Sequence, residues 1–189
     1  MQYHETAEKL TQYREEITEL RKRMRELQKS VQPERVKDYE FATLDGSVRL
    51  SQLFGKHEYL FVIHNMGTGC AYCTLWADGF NGVLKHLENR AAFVISSPDE
   101  PAKQQQFKES RGWRFRMVSH QNSQFAAEMG YRKDNSWVPG VSVFKRDGNE
   151  IVRVSDTRFG PCDDFCSIWH FMDMLPEGPN GWQPKMRYE

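Results

Sequence analysis

Apolar and polar positions change their period along this chain, and the period assigns the elements. From Tyr3 to Val31 the residues Leu10, Tyr13, Ile17, Leu20, Met24, Leu27 and Val31 recur at steps of three and four, with Glu, Lys and Arg on the other faces. This heptad-like stripe predicts one helix roughly 40 Å long, at 1.5 Å per residue, longer than a small domain is wide. Pro33 ends it. The stripe has two readings: a face that meets a second subunit, or an amphipathic helix lying on its own domain.

Beyond Pro33 the pattern shortens. Asp38–Leu50 reads as two strands around Asp45-Gly46, and Ser51–Gly55 as a helical turn closed by glycine. Tyr59–Asn65 is a central strand, Leu75–Leu87 a helical pattern, and Ala91–Ser96 a continuous apolar run suited to a strand buried on both faces. A helix over Pro101–Gly112, a strand over Arg116–Ser119 and a short helix over Ser123–Gly130 follow. Val141–Val154 is a hairpin turning at Asp147-Gly148, Phe165–Leu175 a last helix, and the Pro/Gly-rich tail from Pro176 irregular. The order β-α-β-α then β-β-α predicts an α/β architecture, a mixed sheet with helices on both faces. Residues 1–32 are the N-terminal helix and 33–189 the domain.

Composition narrows the function. Lys+Arg and Asp+Glu both number 26, so charge points to neither nucleic acid nor an anionic membrane. No run of about 18 apolar residues exists to span a bilayer. The start Met-Gln-Tyr-His-Glu-Thr lacks the basic-then-apolar pattern of a signal peptide. The expected compartment is therefore the cytoplasm, where a cysteine pair is more often catalytic or metal-binding than structural.

The chemistry concentrates in Gly67-Thr-Gly-Cys70-Ala-Tyr-Cys73-Thr74, between the strand and the helix. A Cys-x-x-Cys on the first turn of a helix reads as a redox dithiol. Unpaired N–H groups and the positive end of the helix dipole stabilise a thiolate there, and the second cysteine lies on the same face. The alternative is half of a structural zinc site, which Cys162 and Cys166 would have to complete. Those two are four residues apart, expected on one face of the last helix, as a second dithiol or as buried, inert cysteines. His170, on that helix, is either a partner of one pair or surface. Asp78 either tunes the dithiol or is a solvated helix residue, and the five tryptophans are expected mainly as core or interface anchors.

The element order, with Cys70-x-x-Cys73 heading the first helix of the sheet and Val138-Pro139-Gly140 before the hairpin, resembles the thioredoxin fold. The Asp38–Gly55 lead-in is similar to that of peroxiredoxins. Cys70–Gly82, Pro139–Gly148 and Phe171–Pro176 together look like the domain-of-unknown-function 899 family, related to the alkyl hydroperoxide reductase group. The resemblance implies that Pro139 forms a cis peptide facing the dithiol, with Trp137 beside it as a substrate-facing wall. It also places the connection bearing Cys162 near Cys70. The sequence departs from thioredoxins at Gly69, Tyr72 and His64, where they carry Trp, Pro and a buried Asp, and from peroxiredoxins at Gly67, where they carry Thr. His64 is then either a proton-handling group below Cys73 or a core histidine.

The expected activity is thiol–disulfide exchange, with Cys70 attacking and Cys73 resolving the mixed disulfide. Its partners would be a thiol or disulfide substrate and a thiol reductant system, with no cofactor, no metal, no nucleic acid and no membrane. A homodimer through the N-terminal helix is expected. The alternatives are a thiol peroxidase with Cys70 peroxidatic, or a non-catalytic scaffold with a metal or nothing in the cysteine site.

Overall fold

The computed structural model describes residues 2–188. The chain forms two compact units, Met1–Pro33 and Glu34–Glu189. The first is helix α1, Tyr3–Lys29, which opens with a capping box between Gln2 and Glu5 and closes on Ser30, whose N–H donates to the Leu27 carbonyl. None of its residues is buried, and Leu10, Tyr13, Ile17, Leu20, Met24 and Leu27 are each at least 45% exposed.

The second unit runs β1 (Glu34–Val36), β2 (Glu40–Thr43), β3 (Gly46–Arg49), α2 (Leu50–Leu53), β4 (Tyr59–His64), α3 (Ala71–Arg90) and β5 (Ala92–Ser97). It continues with α4 (Pro101–Arg111), β6 (Arg116–Ser119), α5 (Phe125–Glu128), β7 (Arg132–Lys133), β8 (Ser136–Trp137), β9 (Gly140–Asp147), β10 (Glu150–Arg158) and α6 (Ser167–Met172). Eight strands form one sheet in the order β1-β10-β9-β4-β5-β6-β2-β3, and β7 pairs β8 separately. Strands β4, β5 and β6 are parallel and the other pairings antiparallel. This is the thioredoxin-like mixed α/β fold with an added long N-terminal helix.

The central strands are buried because both faces of the sheet carry a core. Side chains alternate along a strand, so Leu60 and Val62 of β4 join Val94, Phe125, Tyr131 and Phe144 on one face. Ile63 joins Phe93, Ile95, Trp76, Phe80, Cys73 and Trp169 on the other, beneath α3. Every residue of β5 is buried, as its continuous apolar run predicts. Helix α4 has Pro101 in its first turn and stops at Gly112, which takes the left-handed conformation (φ 63°).

Two local expectations are corrected. The β9–β10 hairpin pairs Asp147 with Glu150 and turns at Gly148-Asn149, one residue later than the Asp-Gly signal suggests, with Gly148 at φ 61°. The last helix is Ser167–Met172, shorter at both ends than the apolar pattern of Phe165–Leu175. Strands β1, β7 and β8 carry too few apolar residues to declare themselves and exist through their partners.

Candidate redox site

The site grows from the end of β4. Register pairs His64 with Ser96 of β5 and with Gly140 of β9, and the next residue, Asn65, donates its N–H to the Ser96 carbonyl at 2.9 Å. The chain then turns: the Gly67 N–H donates to Asn65 Oδ1 at 2.8 Å, the Thr68 N–H to Asp99 Oδ2 at 2.7 Å, and the Cys70 N–H to the Gly67 carbonyl at 3.2 Å. Gly67 sits at φ 105°, a conformation side chains disfavour.

Cys70 is the N-cap of α3, and its Sγ accepts the Cys73 N–H at 3.0 Å. A thiol stands where Ser, Thr, Asp or Asn usually caps, and a helix's orphan donors face it. Its carbonyl accepts from both the Thr74 N–H and the Thr74 hydroxyl at 3.0 Å, which fixes the first turn. Cys73 is one turn inside and 3% exposed, and its Sγ accepts the Met66 N–H at 3.4 Å. The thiols consequently differ. The hydrogen bond with the Cys73 side chain lowers the Cys70 thiol, burial works against this, and the Cys73 and Tyr72 N–H groups lower it too, for a net value of about 7. The hydrogen bond to Cys70, then burial, push Cys73 well above the ordinary thiol range.

Pro139 adjoins the start of β9 at the same end of the sheet, and its carbonyl accepts the Phe159 N–H at 2.9 Å. The expected cis bond is absent: no peptide among the described residues is cis. Here the chain returns through a trans Pro139 followed by Gly140, where an added Cβ would lie 2.3 Å from Tyr131 Cε1 and 2.4 Å from the Thr157 carbonyl oxygen. Glycine, rather than a cis proline, permits the close approach.

The accessory residues separate. Cys166 is the N-cap of α6, 6% exposed, in the same apolar cluster as Cys73, and burial raises its thiol. Cys162 is exposed, in a left-handed conformation (φ 68°). Both precede the first residue of α6, so they do not share a face of that helix. Asp163 shapes their turn, accepting from the Gly160 and Phe165 N–H groups at 3.1 and 2.9 Å, and from Trp76 Nε1 of α3 at 3.3 Å. All four cysteines are free thiols, and among the described residues no group of three or more His, Cys, Asp or Glu is arranged to hold a metal.

His64 lies across the sheet from Cys73. Its ring stacks on Tyr131 with centroids 3.6 Å apart, and its Nε2 shares a hydrogen bond with Ser142 Oγ at 2.9 Å. The position below Cys73 is thus not its own: the strand alternation that buries Ile63 under α3 turns His64 away. Burial, then His120 and Arg153, lower its pKa far below the usual imidazole range. Trp137 packs on that same face, edge-on to His120 at 4.8 Å and under the Arg132 guanidinium at 4.9 Å. Asp78 is a part-exposed helix residue whose polar partners are on α4 and beyond rather than at the thiols. It ion-pairs with Arg111 and accepts from Trp113 Nε1 at 2.8 Å, joining α3 to α4. His170 is exposed, 3.7 Å from Asp164.

Sequence reasoning passed over Asn65 and Asp99, which hold the turn before Cys70. An Asn two residues ahead of a glycine is a signal for such a turn. Asp99, thirty residues downstream, carries none.

The fold is thioredoxin-like, and two thiols stand at the end of its central strand. Solved structures similar to it include Xanthomonas campestris peroxiredoxin Q, with TM-score 0.55 and 16% identity over 63% of this chain and 78% of that one. Reduced Prx3 from Vibrio vulnificus gives 0.57 and 11% over 70% and 89%. The peroxidoxin BcpB from Mycobacterium tuberculosis gives 0.51 and 25% over 64% and 80%. The chain belongs to the bacterial proteins of unknown function DUF899, whose family profile matches residues 2–188. No curated protein matches it. Among the described residues, no helix is long and apolar enough to cross a membrane.

Proposed function

We propose that the protein is a thiol–disulfide oxidoreductase in which Cys70 attacks and Cys73 resolves. The observation that carries this reading is the asymmetry within one helical turn. Cys70 is half-buried, caps the helix and accepts the Cys73 N–H, while Cys73 is enclosed and raised. The Cys70 thiolate attacks one sulfur of a substrate disulfide, and the other sulfur leaves as a thiolate that takes up a proton. Deprotonated Cys73 then attacks the Cys70 sulfur of the mixed disulfide, releasing the second substrate thiol and leaving a Cys70–Cys73 disulfide. A dithiol reductant returns it to the reduced state by the reverse exchange. Pro139, beside the site on a trans bond, would hold the substrate backbone. The reaction suits a reducing compartment such as the cytoplasm, and the exposed stripe of α1 suits a homodimer.

The likeness to peroxiredoxins favours a second reading on the same two sulfurs. A hydroperoxide would transfer one oxygen to Cys70, giving a sulfenic acid and an alcohol or water. Cys73 would then close on that sulfur and release water. One experiment separates these readings from a scaffold. Iodoacetamide labelling of the reduced protein, mapped by mass, is expected to modify Cys70 before Cys73. Cys70→Ser should abolish exchange, and Cys73→Ser should accumulate mixed disulfides. Consumption of hydrogen peroxide in the presence of a thiol reductant would select the peroxidase. Preferential labelling of Cys73, or equally slow labelling of both, would favour a scaffold.

A further inference from the structure

Asp99 lies two residues beyond the end of β5, next to the strand that delivers the dithiol, so the loops after β4 and β5 leave the sheet side by side. Its side chain is 10% exposed. Oδ2 accepts the Thr68 N–H at 2.7 Å, and Oδ1 accepts the Lys103 ammonium at 2.6 Å, with the Thr68 hydroxyl at 3.5 Å. The carboxylate also presses on Gly67, where an added Cβ would stand 2.8 Å from Oδ2. Gly67 in turn supplies the carbonyl that accepts the Cys70 N–H. From the Thr68 N–H bond on Asp99 the path to the Cys70 N–H is one turn long.

We infer that Asp99 is a positioning residue: it fixes the Gly67–Cys70 turn and so holds the Cys70 sulfur on the donors of α3. The inference rests on the reading of Cys70 as the attacking thiol. A nearby carboxylate disfavours a thiolate through its charge, so the field of Asp99 works against Cys70, and the Lys103 ammonium one helical turn on offsets it. Asp99 therefore acts by geometry. The acceptor oxygen matters and the charge does not.

The substitutions that separate the two are Asp99→Asn, which keeps an acceptor and removes the charge, and Asp99→Ala, which removes both. Iodoacetamide labelling of Cys70 is followed by mass mapping from pH 5 to 10 in each full-length variant. Asp99→Ala is expected to raise the midpoint of the profile by about one pKa unit, toward that of an ordinary thiol, and so to slow labelling at pH 7 roughly fivefold. Asp99→Asn is expected to stay within about twofold of the unaltered protein, with its midpoint kept. An unchanged profile in Asp99→Ala, or equal slowing in both variants, would overturn the inference. If Asp99→Ala does not fold, Asp99→Glu supplies the test. It keeps the charge but shifts the acceptor by one methylene, and it should slow Cys70 similarly, whereas an unchanged rate would overturn the inference. Labelling of the unaltered protein at Cys73 would defeat the functional reading itself. That outcome differs from Cys70 reacting first but indifferent to position 99.

Discussion

The two sulfurs of one helical turn differ only in where they stand relative to the helix end. Cys70 outside it gathers donors, and Cys73 inside it loses water. Its thiol lowered to about 7, Cys70 should label with a rate that rises through pH 7 and levels off well before the ordinary thiol range, while Cys73 shows no such plateau. The thiolate is also linked to stability. Its depressed pKa adds stability in full above the ordinary value of 9, and that contribution fades as pH falls through about 7. The buried imidazoles act at lower pH. His120 is lowered to about 4, first by burial and then by Arg132, with Asp99 opposing. Between about 4 and 6.5 the unfolded chain binds the proton that folded His120 refuses, so stability falls as pH drops through that window. By pH 5 His120 alone should cost about 2 kcal/mol, and His64 adds in the same direction. Urea midpoints at pH 7 and pH 5 measure this, and His120→Gln should shrink the difference. At this scale the sequence displayed the pair of thiols at the start of α3, because Cys-x-x-Cys is a local spacing. His64 was legible as a core histidine, whereas His120 and Asp99 were not, because their partners come from elements brought together only by the sheet.

Elements were legible wherever period and punctuation agreed. The β4 and β5 runs and the Pro101 start and Gly112 stop of α4 stand close to where the pattern puts them, and the β2–β3 hairpin turns at Leu44-Asp45, one residue before the Asp-Gly signal. The last helix was over-read because Phe165, Phe171, Met174 and Leu175 are apolar yet exposed, so their spacing does not mark a buried face. Pro139 shows the opposite failure. A resemblance placed it correctly at the thiol end of the sheet but assigned it the wrong isomer, since Gly140 already supplies the close approach to Tyr131 and β10. That makes Gly140 the sharper test of the β9–β10 corner. Gly140→Ala should destabilise the protein by about 3 kcal/mol, because backbone atoms of β10 cannot move aside as a side chain would. A urea midpoint within 0.5 kcal/mol of the unaltered protein, by the usual range for neutral substitutions, would contradict the close packing.

On the scale of the molecule, α1 carries an apolar stripe with no buried residue, a surface that calls for a cover. A second copy is the expected cover, with Ile17 at one core position and Leu20 and Leu27 at the other, a pattern that favours two strands. Lys9, Arg14, Arg21 and Arg23 flank the stripe against Glu16 alone. Like charges therefore face each other across such a dimer, and salt should tighten it by screening them. Light scattering at micromolar concentration should give a dimeric mass, with more dimer at 0.5 M than at 0.05 M salt. Leu20→Glu should give a monomer. A monomeric mass at both salts would leave the stripe without this role.

The two-sided core has an optical consequence. Trp76, Trp113, Trp169 and Trp182 all belong to the Cys73 face, whereas Trp137 alone lies across the sheet against His120. Tyr72, between the cysteines in sequence, stacks on Trp169, and Trp169 meets Trp182 edge-on at 5.7 Å. The indoles thus divide by the event they can sense. Emission from four of them should change when Cys70 and Cys73 are oxidised, and emission from the fifth when His120 takes a proton near pH 4. Replacing Trp137 with Phe should remove the acid response and keep the redox one, so that one unlabelled protein reports two chemistries from opposite sides of a single sheet.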